Sequence, residues 1–145
     1  MNFLKILDNK LSCDWITGLV PSMRIDNMNR ILVCIENASS ADDVLKSDLF
    51  KIEKSSFLNI VSDNIYGRKY ARYLLLKVDM LTGGFAQPYK LPATISIEHI
   101  LPQTPNDESQ WKKDFSDEER DEWTDKIGNL VLISRSEEHT SELQS

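Results

Sequence analysis

A mainly helical α+β fold is what the sequence predicts, on three observations. Apolar residues recur at helical spacing through "RIDNMNRILVCIENA" and "NIYGRKYARYLLLKVDMLTGG". Two short runs, "TISIEHI" and "LVLI", have the β-branched or continuously apolar character of strands. Proline and glycine punctuation separates these blocks. A chain of 145 residues has room for one domain, or for one and part of another, and 41% hydrophobic with 28% charged residues is far from the composition of a disordered chain.

Residues 1–62 read as helical and carry no chemical motif. The spacing places Ile25, Met28, Ile31, Leu32 and Ile35 on one face of a core helix, with Ser39, Ser40 and Asp42 as breakers and caps after it. A second helix is expected in "KIEKSSFLNIVS", with Phe57, Ile60 and Val61 inward. The clearest helix follows, with a stripe of Tyr66, Tyr70, Tyr73, Leu74, Val78 and Leu81 and a stop at Gly83 and Gly84. Arg68 and Arg72 fall one turn apart on its polar face. Residues 64–90 hold five basic residues against one acid, which is either a solvated helix face or a patch facing nucleic-acid phosphates.

"FAQPYKLPAT" reads as a loop, and the strand "TISIEHI" after it is ended by Pro102. Asp107 or Ser109 is a candidate cap for a short helix containing Trp111, and Ser116 to Glu119, "SDEE", fits a capping box for another containing Trp123. Nine acids and four basic residues make 105–126 an acidic insert anchored by its tryptophans. "IGNLVLIS" reads as a turn at Gly128 and Asn129 entering a buried strand, Leu130 to Ile133.

No apolar run approaches the roughly 18 residues of a membrane span, and the start lacks the apolar core of a signal peptide, so a cytoplasmic location is expected. Cys13 and Cys34 are expected to be buried thiols. The net charge of −6 argues against indiscriminate polyanion binding, so any DNA contact must come from local patches.

The last eleven residues, "RSEEHTSELQS", are the translation of a widely used short-read sequencing adapter, without a mismatch. Residues 135–145 are therefore set aside as an artefactual tail, with Glu137, Glu138 and His139 excluded from any site. Without its one Arg and three Glu the balance moves from −6 to −4.

Glu98 and His99 stand side by side in "ISIEHILPQTP". A strand-end histidine often does no more than satisfy a hydrogen bond. The ordered set, strand, "EHILPQ", a Trp-containing insert, then "IGNLVLI", says more. It resembles the His-Asn-His (ββα-metal) nuclease domain of GmrSD-type modification-dependent restriction enzymes over roughly Tyr66 to Ser134, and "EHILPQ" is similar to the His-containing strand of RNA-guided nuclease HNH domains.

The resemblance implies that His99 is the general base taking a proton from water, that Glu98 helps hold a divalent ion such as Mg²⁺, and that Asn129 bonds backbone of the His-bearing loop. Arg68 and Arg72 are the candidate nucleic-acid contacts, and DNA is the implied substrate. Neighbouring strand residues point to opposite faces, so a backbone irregularity is expected at Glu98 and His99 if both line one site. The family's larger enzymes carry a ParB-like nucleotide-binding domain whose motif does not occur here, and a second metal ligand should follow "GNLVLIS" where the adapter begins. The expected organisation is a helical part over 1–90, an incomplete HNH domain over 91–134 and the tail over 135–145, a fragment of a restriction or phage-defence endonuclease with little activity of its own. A noncatalytic DNA-binding or assembly module that keeps the nuclease fold is the alternative.

Overall fold

The computed structural model describes residues 2–83 and 94–134. The loop with Pro88 and Pro92, Gly84, Lys90 and the tail at 135–145 lie outside the described residues. The chain divides into two compact units, Met1–Ile60 and Val61–Ser145.

The first unit is all helical: α1 (Asn2–Ile16), α2 (Pro21–Asn37), α3 (Ala41–Leu45), a 3-10 turn (Asp48–Phe50) and α4 (Lys54–Val61), whose last residue falls in the second unit. Pro21 opens α2 at a position where its missing N–H has no helical partner to lose. Ser40 caps α3 by accepting from the Asp43 amide at 3.2 Å. The core is Ile31, Val44 and Phe50, with Phe3, Ile6 and Leu7 packed on it and the Phe3 ring edge-on to Phe50 at 6.0 Å. Lys10 and Asp14, nearly enclosed, pair at 2.9 Å, and Asn27 donates to the other Asp14 oxygen at 3.0 Å, tying α1 to α2.

The expected stripe of α2 is corrected by its burial. Ile31 is enclosed, but Ile25 and Leu32 are 63% and 51% exposed. Periodicity identifies a face; it does not say how much of that face a neighbour covers.

The second unit is built on a two-stranded antiparallel sheet, β1 (Ile95–His99) and β2 (Leu130–Ser134), with register Ile95 to Ser134 through His99 to Leu130. Helix α5 (Ala71–Thr82) precedes β1, and α6 (Gln110–Asp114), α7 (Asp117–Trp123) and a 3-10 turn (Ile127–Asn129) lie between the strands. Its buried side chains include Ile65, Ala71, Leu74, Leu75, Ile95, Leu101 and Leu130. Helix α5 starts later than its stripe suggests, because Gly67 sits at φ +75° in a turn that Tyr66 enters. Its inward positions are Ala71, Leu74 and Leu75, at the i, i+3, i+4 spacing of one face, while Leu81 is 70% exposed. Over 130–133, strand β2 is enclosed at Leu130 alone, and Val131 is on the surface.

The division at 60/61 differs from the boundary at 90/91 read from the prolines. Segment 64–66 is stitched to the end of the insert: the Ile65 and Tyr66 amides both donate to the Asp125 carbonyl, at 3.0 and 3.2 Å, and Asn64 bridges Lys126. Arg72 of α5 donates to the Ile95 carbonyl of β1. These contacts place α5 with the sheet.

Candidate active site

The hairpin puts His99 at the end of β1, where Ile95, Ile97 and His99 share the inner face and Ser96 and Glu98 the other. Pairing is continuous through Glu98 to Val131 and His99 to Leu130. The irregularity expected at these two residues is absent: the alternating isoleucines and the partner strand keep the ladder regular, and the chain bends only from Ile100. Glu98 is therefore exposed on the face opposite the imidazole.

The bend is held by Asn129. Its carbonyl accepts from the Ile100 amide at 2.9 Å, and its side-chain oxygen accepts from the Leu101 amide at 2.7 Å. Its side-chain NH₂ donates to the Leu101 carbonyl at 3.0 Å and to the Thr124 carbonyl at 2.8 Å. One amide thus fixes the residues following His99 to those preceding Asn129, using the donor and acceptor pair that distinguishes Asn from Asp.

The imidazole side chain is 10% exposed. Its Nε2 lies 3.1 Å from Asp125 Oδ1, and the same oxygen accepts from Gln103 Nε2 at 3.1 Å. The Tyr66 ring stacks at a tilt against it, centroids 4.2 Å apart. Sequence reasoning did not single out Asp125 or Gln103. Their only signal was position: Gln103 is in the "EHILPQ" run and Asp125 precedes the "IGN" turn.

Two recesses flank this constellation. A polar one of about 500 Å³ is lined by Gln103, Asp125, Lys112, Arg120 and Asp121 among others. An apolar one of about 550 Å³ is lined by Leu101, Trp111, Phe115, Trp123 and Ile127 beside Asn129. The insert's helices are locally encoded. Ser116 and Glu119 form a reciprocal capping box on α7, and Ser109 occupies the position before α6 without a side-chain cap bond. Asp107 instead pairs with Lys112 at 2.7 Å, which holds its carboxyl below the usual carboxylate range. Lys126 lies over the Trp123 ring at 4.5 Å.

The basic pair is placed as follows. Arg72 spends part of its guanidinium on the Ile95 carbonyl, and Arg68, ahead of α5, has Nε 3.5 Å from the Asn64 carbonyl. Among the described residues no group of three or more His, Cys, Asp or Glu could hold a metal ion.

The model of the family "GmrSD restriction endonucleases, C-terminal domain" matches residues 29–138, three quarters of the sequence. The chain belongs to that family. The match covers the whole hairpin and insert of this GmrSD C-terminal domain, and reaches back into α2, well ahead of Tyr66 where the motif-based likeness began. No curated protein and no solved structure matches the chain. Among the described residues of this GmrSD domain, no helix is long and apolar enough to cross a membrane.

Proposed function

We propose that this domain is the nuclease end of a modification-dependent restriction or phage-defence enzyme and that it hydrolyses DNA phosphodiesters with His99 as general base. The observation that carries the reading is the clamp at the end of β1. In a chain of a restriction-endonuclease family, an imidazole stands on the last strand residue, and the bend after it is locked by Asn129. In the proposed reaction a water oxygen forms the new bond to phosphorus, its proton passes to the imidazole, and the ester P–O bond breaks. A neutral imidazole suits that task because its reference pKa near ~6.5 leaves a free lone pair at physiological pH. Arg68 and Arg72 are proposed to face the DNA backbone. A guanidinium has five donors, so the bond from Arg72 to Ile95 leaves others for phosphate.

A divalent ion such as Mg²⁺ belongs to the family reading and would neutralise charge on the phosphate. The described residues do not fit a complete site for it. Glu98, the carboxylate expected to hold it, is on the other face of β1 from the imidazole.

The test is nicking of supercoiled plasmid in Mg²⁺ by the domain with its natural residues in place of 135–145, and by its His99→Ala variant. Loss of roughly 10²-fold or more in the variant supports the base role. Cleavage at an undiminished rate refutes it. The incomplete ligand set favours one second reading, a noncatalytic DNA-binding module, which predicts retarded DNA in a gel with no nicking by either protein.

A further inference from the structure

We infer that Asp125 is the positioning residue of His99: it keeps a proton on Nε2 and so leaves Nδ1 as the atom that receives the proton from water. The inference rests on the base role proposed above and adds the atom and its support. A carboxylate accepts hydrogen bonds and has none to donate, so at 3.1 Å from Asp125 Oδ1 the imidazole Nε2 is the donor. In a neutral ring with hydrogen on Nε2, the lone pair is on Nδ1. The partner of one nitrogen thereby sets the chemistry of the other.

Asp125 is itself held at both its side chain and its backbone carbonyl. Gln103 Nε2 donates to the oxygen that faces the ring. The Asp125 carbonyl accepts from the Ile65 and Tyr66 amides, so its backbone is fixed to the segment before α5. The Tyr66 ring then packs on the imidazole, which limits rotation of the ring away from the carboxylate. The imidazole is the more enclosed partner at 10% exposure, against 35% for the carboxylate. When Nδ1 takes a proton from water, Nε2 keeps its own, the ring becomes an imidazolium, and Asp125 offsets its charge without being protonated.

A merely structural pair would fix the ring through the same Nε2–H bond, yet its loss would leave the nicking rate unchanged while the Asn129 contacts hold the hairpin end. Long-range ¹H–¹⁵N spectra of the ¹⁵N-histidine-labelled chain at pH 8, assigned with His99→Ala and read together with plasmid nicking, distinguish the two. The expected result is the Nε2–H form for His99, lost to a mixture of tautomers in Asp125→Ala, with nicking reduced at least about tenfold. Asp125→Asn keeps the backbone contacts but can turn its NH₂ toward Nε2, so it should populate the Nδ1–H form and lower nicking as well. An Nδ1–H ring in the unaltered chain overturns the inference. So does an Asp125→Ala variant whose nicking is unchanged. Undiminished nicking by His99→Ala is a different failure: it removes the base role while the Nε2–H spectrum stands.

Discussion

Replacing Asn129 by Ala should cost the second unit about 3 kcal/mol, taking three bonds at a net ~0.5–1.5 kcal/mol each. The estimate falls in the middle of that range for two opposing reasons. The Leu101 residue is 4% exposed, so its N–H and C=O are left poorly hydrated and unpaired. Against this, the small side chain leaves space that water can enter on the side of the recess beside Asn129. A loss of that size lowers the folding equilibrium constant by roughly two orders of magnitude. Urea denaturation followed by tryptophan fluorescence reads it, since Trp111 and Trp123 both belong to this unit. Amide exchange at Leu101 localises it.

Asn129→Asp sharpens the test. It keeps an acceptor for the Leu101 amide but turns oxygens toward two carbonyls that need a donor. Those carbonyls disfavour the charged form, so the introduced carboxyl has a raised pKa in the folded state. Its penalty is then full above that folded value and relieved as the pH falls toward the unfolded one. A loss below about 1 kcal/mol in Asn129→Ala, with Leu101 exchange unaltered, would show that the clamp does not hold the loop.

Three further outcomes are expected. Asp14→Ala should destabilise the first unit by roughly 3–5 kcal/mol, because it leaves the enclosed Lys10 ammonium and Asn27 without their shared partner; urea melting at Trp15 measures this, and a change below about 1 kcal/mol contradicts it. Burial first, then the Asp14 charge, push the Cys13 thiol up, so at pH 8 it holds less of the reactive thiolate than an ordinary thiol. Ellman's reagent should therefore label the half-buried Cys34 first, and Cys34→Ser should abolish the fast phase; a fast phase that survives it refutes the assignment. Ser116→Ala should cost about 1 kcal/mol by removing the cap of α7, read as faster exchange of the Glu119 amide and its neighbours.

The features legible in the sequence are those encoded by near neighbours. The two strands are announced by β-branched alternation and an apolar run, and the capping box of α7 by residues three apart. Asn129 stood out because "IGN" just before an apolar run is a turn signal. The misses share a different origin. Whether α2 covers its stripe depends on neighbours that periodicity does not specify, and spacing gave no sign that the exposed Arg72 also donates to a carbonyl 23 residues away. Asp125 reaches His99 only because the hairpin closes over the whole insert, at a separation of 26 residues, so no local pattern foretold it. Glu98 was legible as a carboxylate beside a histidine; that the pleat sends the two apart followed from the unbroken register.

Because Leu101 and Thr124 meet on the same side chain, the polypeptide leaves the hairpin and returns to it at a single anchorage. Lengthening or trimming the excursion that carries α6 and α7 changes loop-closure entropy only slowly, by about 0.6 kcal/mol per doubling. The excursion thus behaves as an interchangeable cassette: its exposed turn at residues 106–108 should tolerate inserted glycines and serines while the imidazole at the strand end stays where it is.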